Sequence, residues 1–500
     1  MALSTQRAAL ALLLGKLLRA PLWLMISALL ARLLGPEGVG AWSMVLAAAM
    51  LLNQLFIHWT QVITQRYGRS EWGRSSSLDR TYSHRLPLLL LGGGCAAVLL
   101  VLDPLQWLSR FFGVDGDGKI AVFAALASVW LLAETQTLQQ TQERYLRMAW
   151  TPVAVDAIYI AVLGVLLYVV HSSGGSSAFS SASLPLFFLI LACLWGVCWV
   201  RELMVLRLRV RLRLIRCEDL RLMTFFALPL VPAAVVAYLA EWIDYFLLRH
   251  FVGEQAVGLF HPAFQYVLVM LGLPTALVAV ILPKLVDSVD RADTQLTEHL
   301  INVRLLQYIY AWGALTLPIA ACLPPVLAWL LGSQFDQSSV LIQIMLLALP
   351  GAVVQHVCMA LCLVQGRLAF STIFLFSVKL LVNALLSTVL IIWMGIEGAA
   401  IGMVVGYMVL QWMLLLDQLR YFRIRLLSAL PGGLLVCQLV ALMLVVVDFT
   451  WLRLALSVGG MFFVLILARA QRLISRDEAE SFFSFAGFCS PLLVWLASKK

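Results

Sequence analysis

The sequence predicts an all-α polytopic membrane protein with about fourteen transmembrane helices, arranged as two parallel pseudo-symmetric six-helix lobes plus two C-terminal helices. Three observations predict it. Of 500 residues, 62% are hydrophobic and 12% charged, which leaves too little polar surface to cover a soluble globule of this size. Mainly apolar runs of about 20 residues, enough to cross a hydrocarbon core, recur along the whole chain with short connections. The segment Arg32 to Ser43 also returns within Arg249 to Pro262, in a register that lays Gly35 over Gly253, Val39 over Val257 and Gly40 over Gly258. An even number of helices separates the copies, so the halves run parallel about an axis along the membrane normal, an arrangement used by transporters.

The elements follow in order. Helix one runs from about Ala8 to Leu34, and helix two from about Val39 to Gln65. Arg7 is a weak start for a signal peptide and no small-residue cleavage site follows, so helix one reads as retained. A basic loop with Arg66, Arg69, Arg74, Arg80 and Arg85 precedes helix three, expected from about Leu86 to Leu102. Helix four (about Ile120 to Gln142) returns to Arg144 and Arg147, and helix five (about Met148 to Val170) exits into an uncharged Ser/Gly loop. Helix six (about Leu184 to Leu206) ends at Arg207, Arg209, Arg211, Arg213 and Arg216. Helices seven to twelve follow from about Met223, Val257, Leu305, Val340, Phe370 and Ala399, the last two flanking a tight turn at Gly395. Two more, from about Leu430 and Leu452, lead to a short interfacial tail.

These boundaries give an N-lobe over 1–206, a basic cytoplasmic linker over 207–222, a C-lobe over 223–416, helices thirteen and fourteen over 417–470, and a cytoplasmic or interfacial tail over 471–500. About 27 of the 35 Lys and Arg fall in alternate loops, which places both termini in the cytoplasm. The net charge of +9 is therefore a topology signal and not a nucleic-acid surface. Nine cysteines at helical spacings within apolar runs suggest neither disulfides nor a metal knuckle. No cofactor is expected. No phosphate-binding loop, zinc-protease motif or serine elbow occurs, and the outer loops are too short to carry an enzyme's catalytic groups.

A charge near the bilayer centre costs about 2.5 to 3.5 kcal/mol on insertion scales, so each one is paired, hydrated or used. The candidates are Lys16, Arg19, Glu134, Asp156, Glu241, Asp244 and Lys379. Lys16, Arg19, Trp23 and Ser27 share one helical face, as do Lys379, Asn383 and Ser387. Gln54, His58, Gln61 and Gln65 form a polar stripe on helix two. Lys16, Glu134 and Asp156 lie at similar depth, about 12 Å from the inner ends of their helices, so mutual neutralisation within the first lobe stands beside a substrate role. Glu241 and Asp244 near Arg249 read as lobe-stabilising, His58 as a packing residue or a ligand, and Lys379 as a substrate or gating group.

The loop signatures "ARLLGPEGVGAWSMVLAA", "FVGEQAVGLFHPAFQYV", "LLGSQF" and "GIEGAAIGMVVGYMV" resemble those of the lipid-linked oligosaccharide flippases of the MATE-like MOP superfamily. The nearest branch is that of the O-antigen and exopolysaccharide repeat-unit translocases of the bacterial inner membrane. The resemblance implies a polyprenyl-diphosphate-linked oligosaccharide moved from the cytoplasmic to the periplasmic leaflet by alternating access, through a cationic cavity between the lobes. It implies membrane lipids and polysaccharide polymerase or assembly proteins as partners. Substrate-binding candidates are then Arg19, Lys16, Lys379, Asn383, Gln54, His58 and Trp23, with Glu134, Asp156, Glu241 and Asp244 as gating or ion-pair groups. The chain departs from the lipid II branch at Ala237, where the helix-seven counterpart of Arg19 carries no charge. A diphosphate suits an Arg fork, and outward movement of an anion gains about 2.3 kcal/mol per charge per 100 mV, so strict ion coupling is not required. The alternative is a cation-coupled multidrug exporter of the same fold using Glu134 or Asp156.

Overall fold

The computed structural model describes residues 2–116, 118–172, 183–207, 215–275, 306–364, 367–421, 435–442, 456–464 and 466. Every named element among them is helical. They are α1 (Ala2–Leu52), α2 (His58–Ile63), α3 (Arg69–Ser75), α4 (Asp79–Leu102), α5 (Gly118–Thr141), α6 (Tyr145–Ser172), α7 (Leu184–Leu206), α8 (Cys217–Ala227), α9 (Leu230–Phe251) and α10 (Glu254–Gly272). After them come α11 (Leu306–Leu331), α12 (Asp336–Met345), α13 (Ala352–Val364), α14 (Leu368–Met394) and α15 (Ile396–Tyr421). Among the described residues, nine helical segments are long and apolar enough to cross a membrane, or ten if the bent α11 is one span. Most of the expected helices thirteen and fourteen, the tail, most of the Ser/Gly loop, and Arg209, Arg211 and Arg213 of the linker lie outside the described residues.

The segment Leu14–Ser75 is a 62-residue helical run. At about 1.5 Å per residue it is roughly three times longer than a hydrocarbon core is thick. It breaks at Gly35, whose φ of 67° and ψ of 177° need a residue without a Cβ. Pro36 then opens the second arm, where a missing N–H is no loss. The break falls where the sequence placed the turn between helices one and two.

Both copies of the repeat meet at their glycines. A Cβ on Gly40 would run into the carbonyl of Glu254, and a Cβ on Gly258 into the carbonyl of Pro36. Gly40 aligns with Gly258 and Pro36 with Glu254, so the contact is reciprocal, as across a two-fold axis. An arginine shortly before each copy's glycine turn also binds a carbonyl. Arg32 Nε donates to the Leu330 carbonyl at 3.1 Å, and Arg249 Nη1 donates to the Arg110 carbonyl at 3.2 Å.

The chain divides into two compact units. The first comprises Met1–Pro262, Leu330–Phe335 and Ala369–Ala399, and the second Ala263–Trp329, Asp336–Leu368 and Ala400–Lys500. Within the first, α5 packs along α7 and α1 along α6 more extensively than any other pair. Trp42 stacks on Phe188 at 3.8 Å between centroids. Within the second, Trp312 Nε1 and Gln411 Nε2 each donate at 2.8 Å to carbonyls of the 3-10 turn Leu346–Gly351, and Gln438 Nε2 donates to Gln411 Oε1 at 3.3 Å. Amide and indole bonds of this kind satisfy backbone carbonyls that a tight turn leaves open.

Several expected boundaries move. Helix three begins at Asp79 and not at Leu86, which draws Thr81, Tyr82, Ser83, His84 and Arg85 into a buried helical turn. Helix seven is preceded by the separate α8 and starts after Pro229, a residue that cannot supply an interior helical N–H. The tenth is α12, the 3-10 turn at Pro350 and α13. Expected helices eleven and twelve are observed as α14 and α15, with Gly395 between them at φ 65°.

Candidate transport site

Three buried charge clusters form in the first unit, each from helices far apart in sequence. In the first, Arg19 on α1 donates through Nε to Asp156 Oδ2 on α6 at 2.7 Å, with the Asp156 side chain only 2% exposed. Trp23, one turn along α1, sets its ring 5.6 Å from the Arg19 guanidinium and also contributes to the Asp156 carboxylate. Gly15 permits this close crossing, because a Cβ there would meet the Ala149 carbonyl on α6 at 2.7 Å. Lys16 is exposed and Trp23 half-buried. Only one of the fork's edges is used by Asp156, so Arg19 retains donors for an anion.

The second cluster centres on Glu134 of α5. Arg85 of α4 grips it with two parallel bonds, Nη1 to Oε1 at 2.6 Å and Nη2 to Oε2 at 2.7 Å, and Tyr82 donates its hydroxyl to the same carboxylate. The remaining Arg85 donors reach Thr60 Oγ1 at 3.2 Å and Thr64 Oγ1 at 3.0 Å. The sequence expectation that Glu134 shares in neutralising Lys16 and Arg19 is thus corrected. Arg85 reaches it instead, because helix three starts two turns earlier than predicted. Thr60 lies between two π-helical turns, Asn53–Ile57 and Thr64–Gly68, and Thr64 opens the second; the turns shift the register of helix two. This splits the polar stripe: Gln61 is buried, Gln54 and His58 are half-buried, and Gln65 is exposed. His58 Nδ1 lies 3.2 Å from Gln61 Oε1.

The third cluster joins α9 and α14. Lys379, Asn383 and Ser387 do share one face of α14 and are all fully buried. That face meets Asp244 of α9, itself 1% exposed: Asn383 Nδ2 donates to Oδ2 at 2.8 Å, and Ser387 Oγ lies 2.6 Å from Oδ1. Lys379 is within electrostatic reach of Asp244 and of the half-buried Glu241, and its ammonium lies 5.9 Å from the Phe376 ring. Arg249, expected beside the two acids, pairs instead with Glu254 at 3.3 Å.

Sequence reasoning missed Arg85, Tyr82 and Glu202. Glu202 of α7 is 1% exposed and accepts from Gln139 Nε2 at 3.1 Å, with Arg144 and Arg147 at 3.6 and 3.9 Å. A buried acid at a helix end is signalled only by its partners two helices away. No group of three metal-ligating side chains occurs among the described residues.

The chain is similar in structure to the lipid II flippase MurJ in its inward closed conformation, with a TM-score of 0.67 at 14% identity, over 92% of this chain and 98% of that one. It is also similar to an inward-facing multidrug resistance MATE family transporter of the MOP superfamily (TM-score 0.56, 16% identity, 81% of this chain and 94% of that one). A MATE transporter of Vibrio cholerae gives a TM-score of 0.56 at 14% identity, over 85% of this chain and 98% of that one. No curated protein matches the chain. The fold is therefore the one seen in these lipid II flippase and MATE transporter structures. A family profile described as polysaccharide biosynthesis protein matches residues 6–289, more than half of the sequence. The chain belongs to that polysaccharide biosynthesis protein family.

Proposed function

We propose that the chain flips a polyprenyl-diphosphate-linked oligosaccharide from the cytoplasmic to the periplasmic leaflet of a bacterial inner membrane, by alternating access of its two lobes. Family membership over residues 6–289 carries the reading, and the similarity to a lipid II flippase supports its fold. In this proposal Arg19, with Lys16 exposed one turn away and Trp23 beside it, binds the diphosphate, while Gln54 and His58 offer amide and imidazole groups to sugar hydroxyls. Lys379 and Asn383 are engaged with Asp244, so their part is to hold α9 against α14 and not to meet the head group directly. Polymerase and assembly proteins would take the delivered lipid.

A second reading, a cation-coupled multidrug exporter, has its own support. Multidrug MATE transporters stand among the similar structures, and acids accompany both deep cations, Asp156 beside Arg19 and Asp244 with Glu241 near Lys379. On fold and buried charge alone this reading is the better supported; family membership favours the flippase. Within it Glu134 is a poor ion site, because a bidentate arginine occupies both its oxygens. Liposomes holding the purified protein, given either a fluorescent polyprenyl-diphosphate oligosaccharide or an organic cation under a proton gradient, decide between them. Flipping of the lipid sustains the proposal, and expulsion of the cation with the lipid ignored replaces it with the second.

A further inference from the structure

The charges at the start of α6 do not balance. The turn Gln142–Arg144 leads into this 28-residue helix, where the Met148 N–H donates to the Arg144 carbonyl at 3.0 Å. The N–H groups of Tyr145, Leu146 and Arg147 before it have no acceptor inside the helix, and the helix dipole puts its positive end there. Two guanidiniums stand at the same end. Arg144 and Arg147 approach one acid, Glu202 Oε2 of α7, at 3.6 and 3.9 Å, too far for a hydrogen bond. The other oxygen of Glu202 accepts from Gln139 Nε2 at 3.1 Å, and that amide also reaches Thr151 Oγ1 at 3.1 Å. Glu143, the acid of the turn itself, pairs with Arg69 at 3.2 Å.

Several polar atoms here are shielded from solvent and still lack a partner: Nη1 of Arg144, Nη1 of Arg147, Glu202 Oε2, and both amide atoms of Gln142, a residue 5% exposed. Burial and the Arg147 cation beside it push the Arg144 guanidinium below its ordinary value, against the pull of Glu202. Two cations, one acid and a helix dipole leave a surplus of positive charge. The surface next to it is apolar. Leu146 and Trp150 on α6 are exposed, as are Val197, Val200 and Met204 on α7, all within segments long and apolar enough to cross a membrane. Arg147 and Trp150 are i, i+3 neighbours, and an indole beside a cation marks the level of lipid head groups. Arg201, exposed between Val197 and Met204, adds a further cation to that strip. A ligand suited to this place joins an anionic head with several acceptor oxygens to a hydrocarbon body.

We propose that the start of α6 binds the phosphate of an anionic phospholipid, held by Arg144, Arg147 and the first N–H groups of the helix, with its acyl chains along Leu146 and Trp150. Glu202 is a positioning residue that turns both guanidiniums toward one point. The site is separate from Arg19: its partner Asp156 lies nine residues beyond Arg147, two and a half turns on and so on the opposite side of α6. What the chain transports does not enter this inference.

The test uses the full chain in neutral maltoside micelles, with bound lipid counted by native mass spectrometry. Phosphatidylglycerol should bind saturably at one site, a neutral diacylglycerol with the same chains should not, and inorganic phosphate at equal concentration should fail to displace the phospholipid. Arg144→Gln and Arg147→Gln should each weaken binding roughly tenfold, as expected for a charge-assisted bond. Because either change leaves Glu202 less balanced, both are also made together with Glu202→Gln, and thermal melts confirm that this triple variant is folded. Arg74→Gln with Arg221→Gln removes two exposed cations elsewhere and should leave binding within about twofold in physiological salt. Phospholipid binding that is unchanged in the folded triple variant, or that falls equally in the Arg74 and Arg221 control, overturns the proposal. Displacement by inorganic phosphate, or equal retention of the diacylglycerol, overturns the assignment to a phospholipid.

Discussion

Substituting one member of the Arg85–Glu134 pair should destabilise the protein far more than substituting both. Both side chains are 1% exposed, and the carboxylate receives two arginine bonds and one tyrosine bond. Glu134→Gln leaves the guanidinium buried without its counter-charge, and Arg85→Met leaves the carboxylate so. Breaking a buried pair from one side costs about 3 to 5 kcal/mol. At about 2 to 4 °C per kcal/mol for a large domain, each single variant should melt roughly 6 to 20 °C below the wild type. The double variant carries no orphaned charge and should regain about half of a single variant's loss or more, so that it melts above either single variant. Tyr82→Phe removes only one bond to a charged acceptor and should cost about 1.5 to 3 kcal/mol. Thermal melts of the four proteins in the same detergent give the cycle directly. Additive losses, or single variants within about 0.5 kcal/mol of the wild type as at an ordinary surface site, refute the reasoning.

Other expectations follow from the same geometry. Arg19→Ala should abolish flipping and destabilise the protein by leaving Asp156 unbalanced, whereas Arg19→Ala with Asp156→Asn should restore the melt and not the flux; restored flux would make Arg19 purely structural. Arg19→Lys, which keeps the charge but not the fork, should fall between wild type and alanine in lipid flux. Gly40→Ala and Gly258→Ala press a Cβ into each other's repeat and should each lower stability by about 1 to 3 kcal/mol, by matching amounts if the contact is reciprocal. Flux of an anionic lipid outward should rise with an inside-negative potential, by about 2.3 kcal/mol of driving force per charge per 100 mV; a full rate with the potential collapsed contradicts that drive.

How much of this was legible beforehand depended on the range of each signal. Periodicity along one helix is local, so the buried face of Lys379, Asn383 and Ser387 could be read from spacing alone. Its partner Asp244 lies 139 residues from Asn383 and could not. The turn at Gly35 was legible because a glycine before a proline between two apolar runs has few other uses. Arg85 was misplaced by a rule that works on average: arginines flanking an apolar run mark the inner side. Here the helix began seven residues before the apolar run, and the last of those arginines went inside with Glu134. The π-helical turns in helix two left no trace in hydropathy, so the polar stripe was drawn at an α-helical period that the backbone does not keep.

The measurement that bears most directly on the proposed function is the flux of a fluorescent polyprenyl-diphosphate oligosaccharide across liposomes containing the wild type, with Arg19→Ala and Arg19→Lys as folded controls. Flipping by the wild type, reduced in Arg19→Lys and lost in Arg19→Ala, is the predicted result. A wild type that leaves this lipid in place and instead expels an organic cation against a proton gradient contradicts the flippase reading.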